Sequence, residues 1–96
     1  MILVQLQPLI GDFAENKDIA RDIRVNMIMP ALGKGDAVTL DFTGVSGATQ
    51  SFIHALISEP IRQHGSGVLE KILFQSCNET IQKIISIVSE YMQESE

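Results

Sequence analysis

The sequence predicts a small α/β domain in which three strands and three helices alternate along the chain. Two observations indicate this fold: β-forming runs occur at residues 2–6, 37–42 and 69–75, and a segment with helical apolar periodicity follows each run. Strands that alternate with helices are joined by right-handed crossovers, which makes the strands mostly parallel. We therefore expect a β-α-β-α-β-α domain with helices packed on a mostly parallel sheet.

The first strand is predicted at residues 2–6, and residues 6–10 are predicted to add a short extra strand to a thin sheet. Asn16 offers a cap for the first helix. The apolar stripe of this helix recurs every four residues at Ile19, Ile23 and Met27. Pro30 is expected to kink or end the helix, and residues 33–36 to form a turn.

The second strand and the third are both expected to be buried on both faces, because parallel sheets are usually covered on each side. The second helix is predicted to begin near residues 49–51, to kink at Pro60 and to end at residues 65–67. Asn78 is the expected cap of the last helix. The stripe of that helix consists of Ile81, Ile84, Ile85, Val88 and Met92.

Composition bounds the class of protein. A chain of 96 residues is about one small domain, and we treat residues 1–96 as a single unit. With 45% hydrophobic and 20% charged residues, it has enough apolar material for one core. The net charge of −5, dispersed Lys and Arg, and the lack of Trp argue against nucleic acid as a partner.

The expected location is the cytoplasm. Cys77 is the single cysteine, so no internal disulfide can form, which is typical of a reducing compartment. The first six residues lack a basic leader and a small-residue cleavage site. No apolar run approaches the roughly 20 residues that span a bilayer, so we expect no membrane association.

Residues 43–49, between the second strand and its helix, are rich in Ser, Thr and Gly. Hydroxyls beside the free N–H groups of a helix start suit negative charge, either a bound anion or a phosphate on a hydroxyl. The candidate phosphoacceptor or anion-site residues are Ser46, Thr49 and Ser51. The alternative, which the residues alone favour, is that these side chains are N-caps worth about 1 kcal/mol.

This segment resembles the central segment of STAS domains, which include the anti-sigma-factor antagonists. In those domains a strand of the type V-x-L-D-hydrophobic-S/T-G-V leads through a loop to D-S-S-G-L and a helix. Residues 40–45 (LDFTGV) match the first part without a gap. The chain is still more similar to a STAS-like family of unknown function, which carries D-F-x-G-V and then S-F before an apolar helix. Here these are residues 41–45 and 51–52.

The chain departs from the antagonist pattern at the phosphoacceptor. Gapless placement puts Thr49 at the loop aspartate, Gln50 at the acceptor serine, Ser51 at the second serine and Phe52 at the glycine. Because Gln50 cannot accept a phosphate, the usual serine switch is not expected here. Thr49 and Ser51 remain open to a different kinase.

The resemblance implies a non-enzymatic regulatory module that docks onto a partner protein through the loop and helix at residues 43–57. The implied partner is a histidine-kinase-type ATPase or an anti-sigma-like kinase, and no cofactor is implied. The candidate docking residues are Asp41, Thr43, Gly44, Gly47, Gln50, Phe52 and His54. For Asp41 the residues themselves favour a local role, in which its carboxylate accepts loop N–H groups and holds the turn.

Two other functions stay open. The first is a small Ser/His hydrolase or ligand-binding enzyme that uses Ser51, His54 and Asp41, although no G-x-S-x-G motif surrounds the serine. The second is a structural, self-associating subunit such as a homodimer, because Ile28 and Ile87 lie off the main helix stripes. No metal site is expected, since the two histidines have no third ligand at zinc-like spacing.

Overall fold

A computed structural model describes the chain from Ile2 to Glu94, apart from the side chains of residues 66, 93 and 94. The strands are β1 (Ile2–Gln5), β2 (Phe13–Ala14), β3 (Val38–Asp41), β4 (Gly47–Ala48) and β5 (Ile72–Gln75). The helices are α1 (Gln7–Ile10), α2 (Lys17–Ile23), α3 (Met29–Gly33), α4 (Gln50–His64) and α5 (Glu79–Glu94). A π-helical turn (Arg24–Ile28) joins α2 to α3, and a 3₁₀ helix (Ser66–Glu70) precedes β5.

The main sheet has three parallel strands in the order β1-β3-β5. Val38 pairs with Ile2 on one side and with Ile72 on the other, and this register continues to Asp41. The predicted α/β fold with a parallel sheet is confirmed. The strand order places the end of β3, and the loop that follows it, between the ends of the other two strands.

Burial differs between the central strand and the edges. Every residue of β3 is buried, as predicted for the second strand. The same prediction for the third strand is wrong, because β5 lies at an edge and Leu73 is 45% exposed. Leu3, which shares a sheet face with Leu73 across Thr39, is 54% exposed. One face of the sheet therefore keeps apolar side chains in solvent.

The first helical region runs further than predicted. Asn16 caps it as expected, since its Oδ1 accepts hydrogen bonds from Asp18 N at 2.9 Å and Ile19 N at 3.3 Å. Helical geometry continues through Pro30, which lies in the first turn of α3 directly after the π-helical turn. The predicted end at Pro30 is therefore wrong, and the helix runs to Gly33.

The π-helical turn explains an error in the predicted stripe. A π turn contains one residue more than an α-helical turn, so it shifts the buried face by one position. Ile23 and Ile28 are buried, whereas Met27, which the four-residue spacing placed in the stripe, is exposed. The burial of Ile28 also removes one of the two positions that suggested self-association.

Residues 7–10 form the single helical turn α1, so the short extra strand predicted at residues 6–10 is wrong. Pro8 lies in the first turn, where its fixed φ favours a helix. The extra pairing occurs elsewhere, as a parallel two-stranded sheet between β2 and β4. This small sheet connects the segment after α1 to the loop after β3.

Helices α4 and α5 supply much of the core. Helix α4 buries Phe52, Ile53, Leu56, Ile57 and Ile61, continues through Pro60 and ends at His64, next to the predicted end at residues 65–67. From α5 the core receives Ile81, Val88 and Met92. Among residues 2–94, no helix combines the length and apolar character that a membrane crossing requires.

Candidate functional site

Asp41 holds the turn that begins the loop at residues 43–49. Its side chain is 7% exposed, and Oδ1 accepts hydrogen bonds from Thr43 Oγ1 at 2.6 Å and Thr43 N at 3.0 Å. The Thr43 hydroxyl, the Thr43 N–H and the Ser76 side chain lower the pKa of Asp41, although burial acts in the opposite direction. Asp41 therefore has the local role that its position after a central strand suggested.

Residues 12–14 accept hydrogen bonds from the loop. Ser46 donates to Asp12 O through its N at 2.7 Å and through its Oγ at 3.0 Å. Thr49 N donates to Ala14 O at 2.9 Å, next to the β2–β4 pairing. These bonds satisfy loop donors that a free loop would leave to water.

Asn78 fastens the loop from the other side. Its Nδ2 donates to Ser46 O at 2.7 Å, while its Oδ1 accepts from Ile81 N at 2.9 Å and caps α5. One side chain therefore starts the last helix and ties it to the loop. The sequence predicted the cap but gave no signal for the second bond.

Two glycines are required by the shape of the loop. Gly44 has φ of 83°, in the left-handed region that favours glycine. Gly47 is buried beneath Phe13, and a Cβ there would lie 2.8 Å from Cε1 of the Phe13 ring. Phe13 itself is 47% exposed, which makes it an aromatic surface residue at the loop that the sequence did not single out.

The three candidate phosphoacceptors occupy different environments. Thr49 Oγ1 accepts from Phe52 N at 3.1 Å, which is the N-cap that the residues alone favoured. The hydroxyl of Ser46 is engaged with Asp12 O. Ser51 is exposed, and within residues 2–94 its hydroxyl makes no hydrogen bond. Ser51 is therefore the accessible candidate.

The candidate docking residues differ in their exposure to solvent. Thr43, Gly44 and Gln50 are exposed and His54 is half-buried. Phe52 is 0% exposed, because it points from α4 into the core. The prediction that Phe52 contacts a partner does not fit this position and must be corrected.

Two further docking candidates, Asp41 and Gly47, are buried as well. They shape the loop from beneath, through the Thr43 bonds and the close contact with Phe13, and present no side-chain surface.

A groove of about 490 Å³ lies between α4 and α5, beside the loop. Its lining residues are Lys17, Gln50, Ser51, His54, Ala55, Ile87, Val88 and Tyr91. The ring centroids of His54 and Tyr91 are 6.5 Å apart, with the ring planes tilted by 57°. Gln50, Ser51 and His54 are site candidates from the sequence, and Ile87 lies off the predicted stripe, but the sequence does not indicate Lys17 or Tyr91.

The proposed hydrolase residues are not arranged as a triad. Ser51 and His54 both line the groove, but no hydrogen bond joins them in the described part of the chain. Asp41 accepts hydrogen bonds from Thr43 and forms one with Ser76, and within residues 2–94 none joins it to His54. In a triad the base contacts the nucleophile and is oriented by the acid.

Cys77 does not have the environment of a reactive thiol. Cys77 is half-buried, and burial together with the Asp41 carboxylate raises the pKa of its thiol. A raised pKa leaves a thiol protonated and weakly nucleophilic. Within residues 2–94, no group of three or more His, Cys, Asp and Glu side chains could hold a metal ion.

Comparison with known proteins gives a match to a family. The family model that matches is described as a STAS-like domain of unknown function (DUF4325), and it covers residues 20–82. No curated protein and no solved structure matches the chain. The matched range includes β3, the loop, all of α4 and the start of α5.

Proposed function

The chain belongs to the family of STAS-like domains of unknown function, and we propose that it is a non-enzymatic module that regulates a partner protein by docking onto it. The docking surface consists of the loop at residues 43–49 and the first two turns of α4. The partner is an ATP-binding protein of the histidine-kinase or anti-sigma-kinase type. We place this activity in the cytoplasm, where Cys77 stays reduced.

The observation that supports the proposal is that hydrogen bonds hold the loop in place on three sides. Hydrogen bonds reach it from Asp41, from Asp12 and Ala14, and from Asn78, on three separate parts of the fold. A surface that is ordered before binding loses little conformational entropy on association.

The exposed groups on this surface suit recognition of a charged partner group. Gln50 and Ser51 lie in the first turn of α4, which contains no acidic residue. The N–H groups of a helix start carry a partial positive charge. A phosphate on Ser51 would be stabilised there and would add negative charge beside Lys17, which lines the same groove.

Binding to candidate kinase-type ATPases tests the proposal. We expect a complex in size-exclusion chromatography, and we expect Gln50→Ala and Ser51→Asp to weaken it by about tenfold or more, measured by calorimetry. Gln63→Ala is the matched control, because Gln63 is exposed at the far end of α4. Phe52 is unsuitable for this test, since a change in the core would lower stability directly.

Besides the absence of any complex, two outcomes contradict the proposal. The first is a complex that tolerates both loop-side substitutions as well as it tolerates Gln63→Ala. The second is labelling of Ser51 by a fluorophosphonate probe, which would favour the hypothesis of a hydrolase over that of a docking module.

Self-association is a second candidate function, favoured by a different observation. Parallel sheets are usually covered on both faces, yet Leu3 and Leu73 remain about half exposed. A homodimer would cover this face. Light scattering over a concentration series separates the two candidates, and a Leu73→Lys substitution would reduce a dimer but leave ATPase binding unchanged.

A further inference from the structure

The groove between α4 and α5 differs in charge from the chain that contains it. The whole chain has twelve acidic residues against seven basic ones. Among the residues that the structure describes, one formally charged side chain, Lys17, and no carboxylate line the groove. The adjoining surface of α5 is of mixed charge, with Glu79, Lys83 and Glu90. An acidic ligand would therefore meet attraction in the groove and repulsion over much of the remaining surface.

The wall of the groove that α5 forms is apolar. Ile87 and Tyr91 lie one helical turn apart on α5 and are 50% and 60% exposed. Other apolar positions of the same helix, such as Val88, are buried. Tyrosine is among the residue types that most often contribute binding energy at protein interfaces, and such residues usually lie in well-packed pockets.

The two walls come from different parts of the sequence. Gln50, Ser51, His54 and Ala55 lie within the range matched by the family model, whereas Lys17 and the α5 wall at residues 87–91 lie outside it. The groove is therefore assembled by the fold and combines the docking loop with features that the family match does not include.

We propose that this groove receives a segment of the partner protein in which a carboxylate side chain neighbours a large apolar one. The carboxylate pairs with Lys17 and with donors of the first turn of α4, and the apolar side chain packs on Ile87 and Tyr91. This inference rests on the proposed docking function and specifies the chemistry of the segment that docks.

A titration with short peptides tests it on the free protein. The probes are acetyl-Ala-Leu-Glu-Leu-Ala-amide, a Glu-to-Gln version and a version with both Leu replaced by Ala. We expect saturable amide shifts at residues 50–55 and 87–91 with the first peptide, and affinity about fivefold weaker with either altered one. Lys17→Glu should weaken binding of the first peptide by about tenfold, whereas Lys83→Glu, on the neighbouring surface, should not.

The inference is overturned by equal affinity for the acidic and neutral peptides, or by no saturable shift up to about 10 mM peptide. It is also overturned if light scattering shows dimers that Ile87→Asp abolishes, since a second copy would then occupy the groove. Peptide binding without any ATPase complex would contradict the proposed function alone. An ATPase complex sensitive to Gln50→Ala but not to Lys17→Glu would contradict the groove alone.

Discussion

The two ends of the sheet are connected in different ways. At the amino end, residues 34–36 form a turn through backbone bonds from Lys34, Gly35 and Asp36 to carbonyls at the end of α3. One side chain joins in, as Lys71 Nζ donates to Gly35 O at 3.2 Å. At the carboxyl end, side chains of Asp41, Thr43, Ser46 and Asn78 all hold the loop.

This difference indicates at which end of the sheet the conformation depends on particular side chains. A backbone-bonded turn accepts many residue types, because its hydrogen bonds do not depend on side chains. A loop held by particular side chains is sensitive to their replacement. In parallel α/β sheets, ligands also bind at the carboxyl ends of the strands. The effects of substitution should therefore be large at the carboxyl end and small at the amino end.

The largest effect is expected from Gly44→Ala, compared with Gly35→Ala. Both glycines have φ of 83°, so either alanine adopts a left-handed backbone at a cost of about 1–2 kcal/mol. A Cβ at Gly44 would also lie 3.0 Å from Cγ of Gln7, whereas none would be crowded at Gly35. We expect Gly44→Ala to cost about 1 kcal/mol more in urea denaturation.

Gln7→Ala is the control for this crowding. In the Gln7→Ala background the difference between the two glycine substitutions should disappear, because the Cγ atom is gone. Equal costs at the two glycines in the wild-type background would show that the carboxyl-end loop is no more constrained than the turn.

The next effect concerns Asn78→Ala, compared with Asn16→Ala. Both asparagines cap a helix, and loss of a cap costs about 1 kcal/mol. Asn78 also donates to Ser46 O, so its replacement should cost about 2 kcal/mol in the free energy of unfolding. Thermal denaturation of both variants measures this. A smaller loss for Asn78→Ala than for Asn16→Ala would contradict the role of the Ser46 bond.

Thr49→Val should lower the free energy of unfolding by about 1 kcal/mol, because it removes the acceptor for Phe52 N without changing the shape of the side chain. Thr80→Val, at an exposed threonine in the first turn of α5, is the control and should change it by less than about 0.5 kcal/mol. Equal losses in the two variants would argue against the cap.

The contribution of Asp41 should depend on pH. Its pKa in the folded protein is lowered by Thr43 and Ser76 hydrogen bonds, so its stabilising contribution is present above the ordinary value of 3.8 and is lost as the pH falls through the folded pKa. Wild type should exceed Asp41→Asn in stability at neutral pH, and the difference should shrink in acid. Thr43→Val should raise the pKa of the Asp41 carboxyl in a carbon-13 titration. A difference that stays constant with pH would contradict this account.

The smallest effect is expected at the amino end, from Lys71→Ala. Its bond to Gly35 O is exposed, and surface contacts of this kind contribute less than about 0.5 kcal/mol. Chemical denaturation should barely distinguish this variant from wild type. A loss comparable with that of Asn78→Ala would remove the contrast between the two ends.

The sequence predicted the parts of the fold that depend on local pattern. The cap at Asn16, the buried strand β3 and the periodicity of α5 are local signals, and each has its counterpart in the structure. The β2–β4 pairing joins strands of two residues each, which are too short for any alternation to show. The π turn has no residue signature either, so the shift from Met27 to Ile28 could not be foreseen.

The sequence predicted the position of the site but not all of its residues, because only local patterns can be recognised in a sequence. The motif located the loop and the start of α4. Phe52 was predicted to be a surface residue because it is next to the motif serine, but its position on the helix directs its side chain into the core. Lys17 and Tyr91 join the groove through tertiary packing across more than thirty residues of sequence from Ser51. Contacts of that kind are visible only once the helices are packed.

Nitrogen-15 relaxation of the free protein tests most directly whether the loop is held in place before any partner binds. The account predicts backbone order parameters near 0.85 for residues 43–49, equal to those of β3. Values below about 0.6 in this loop, with β3 still rigid, would contradict the claim that its side-chain bonds prepare a docking surface.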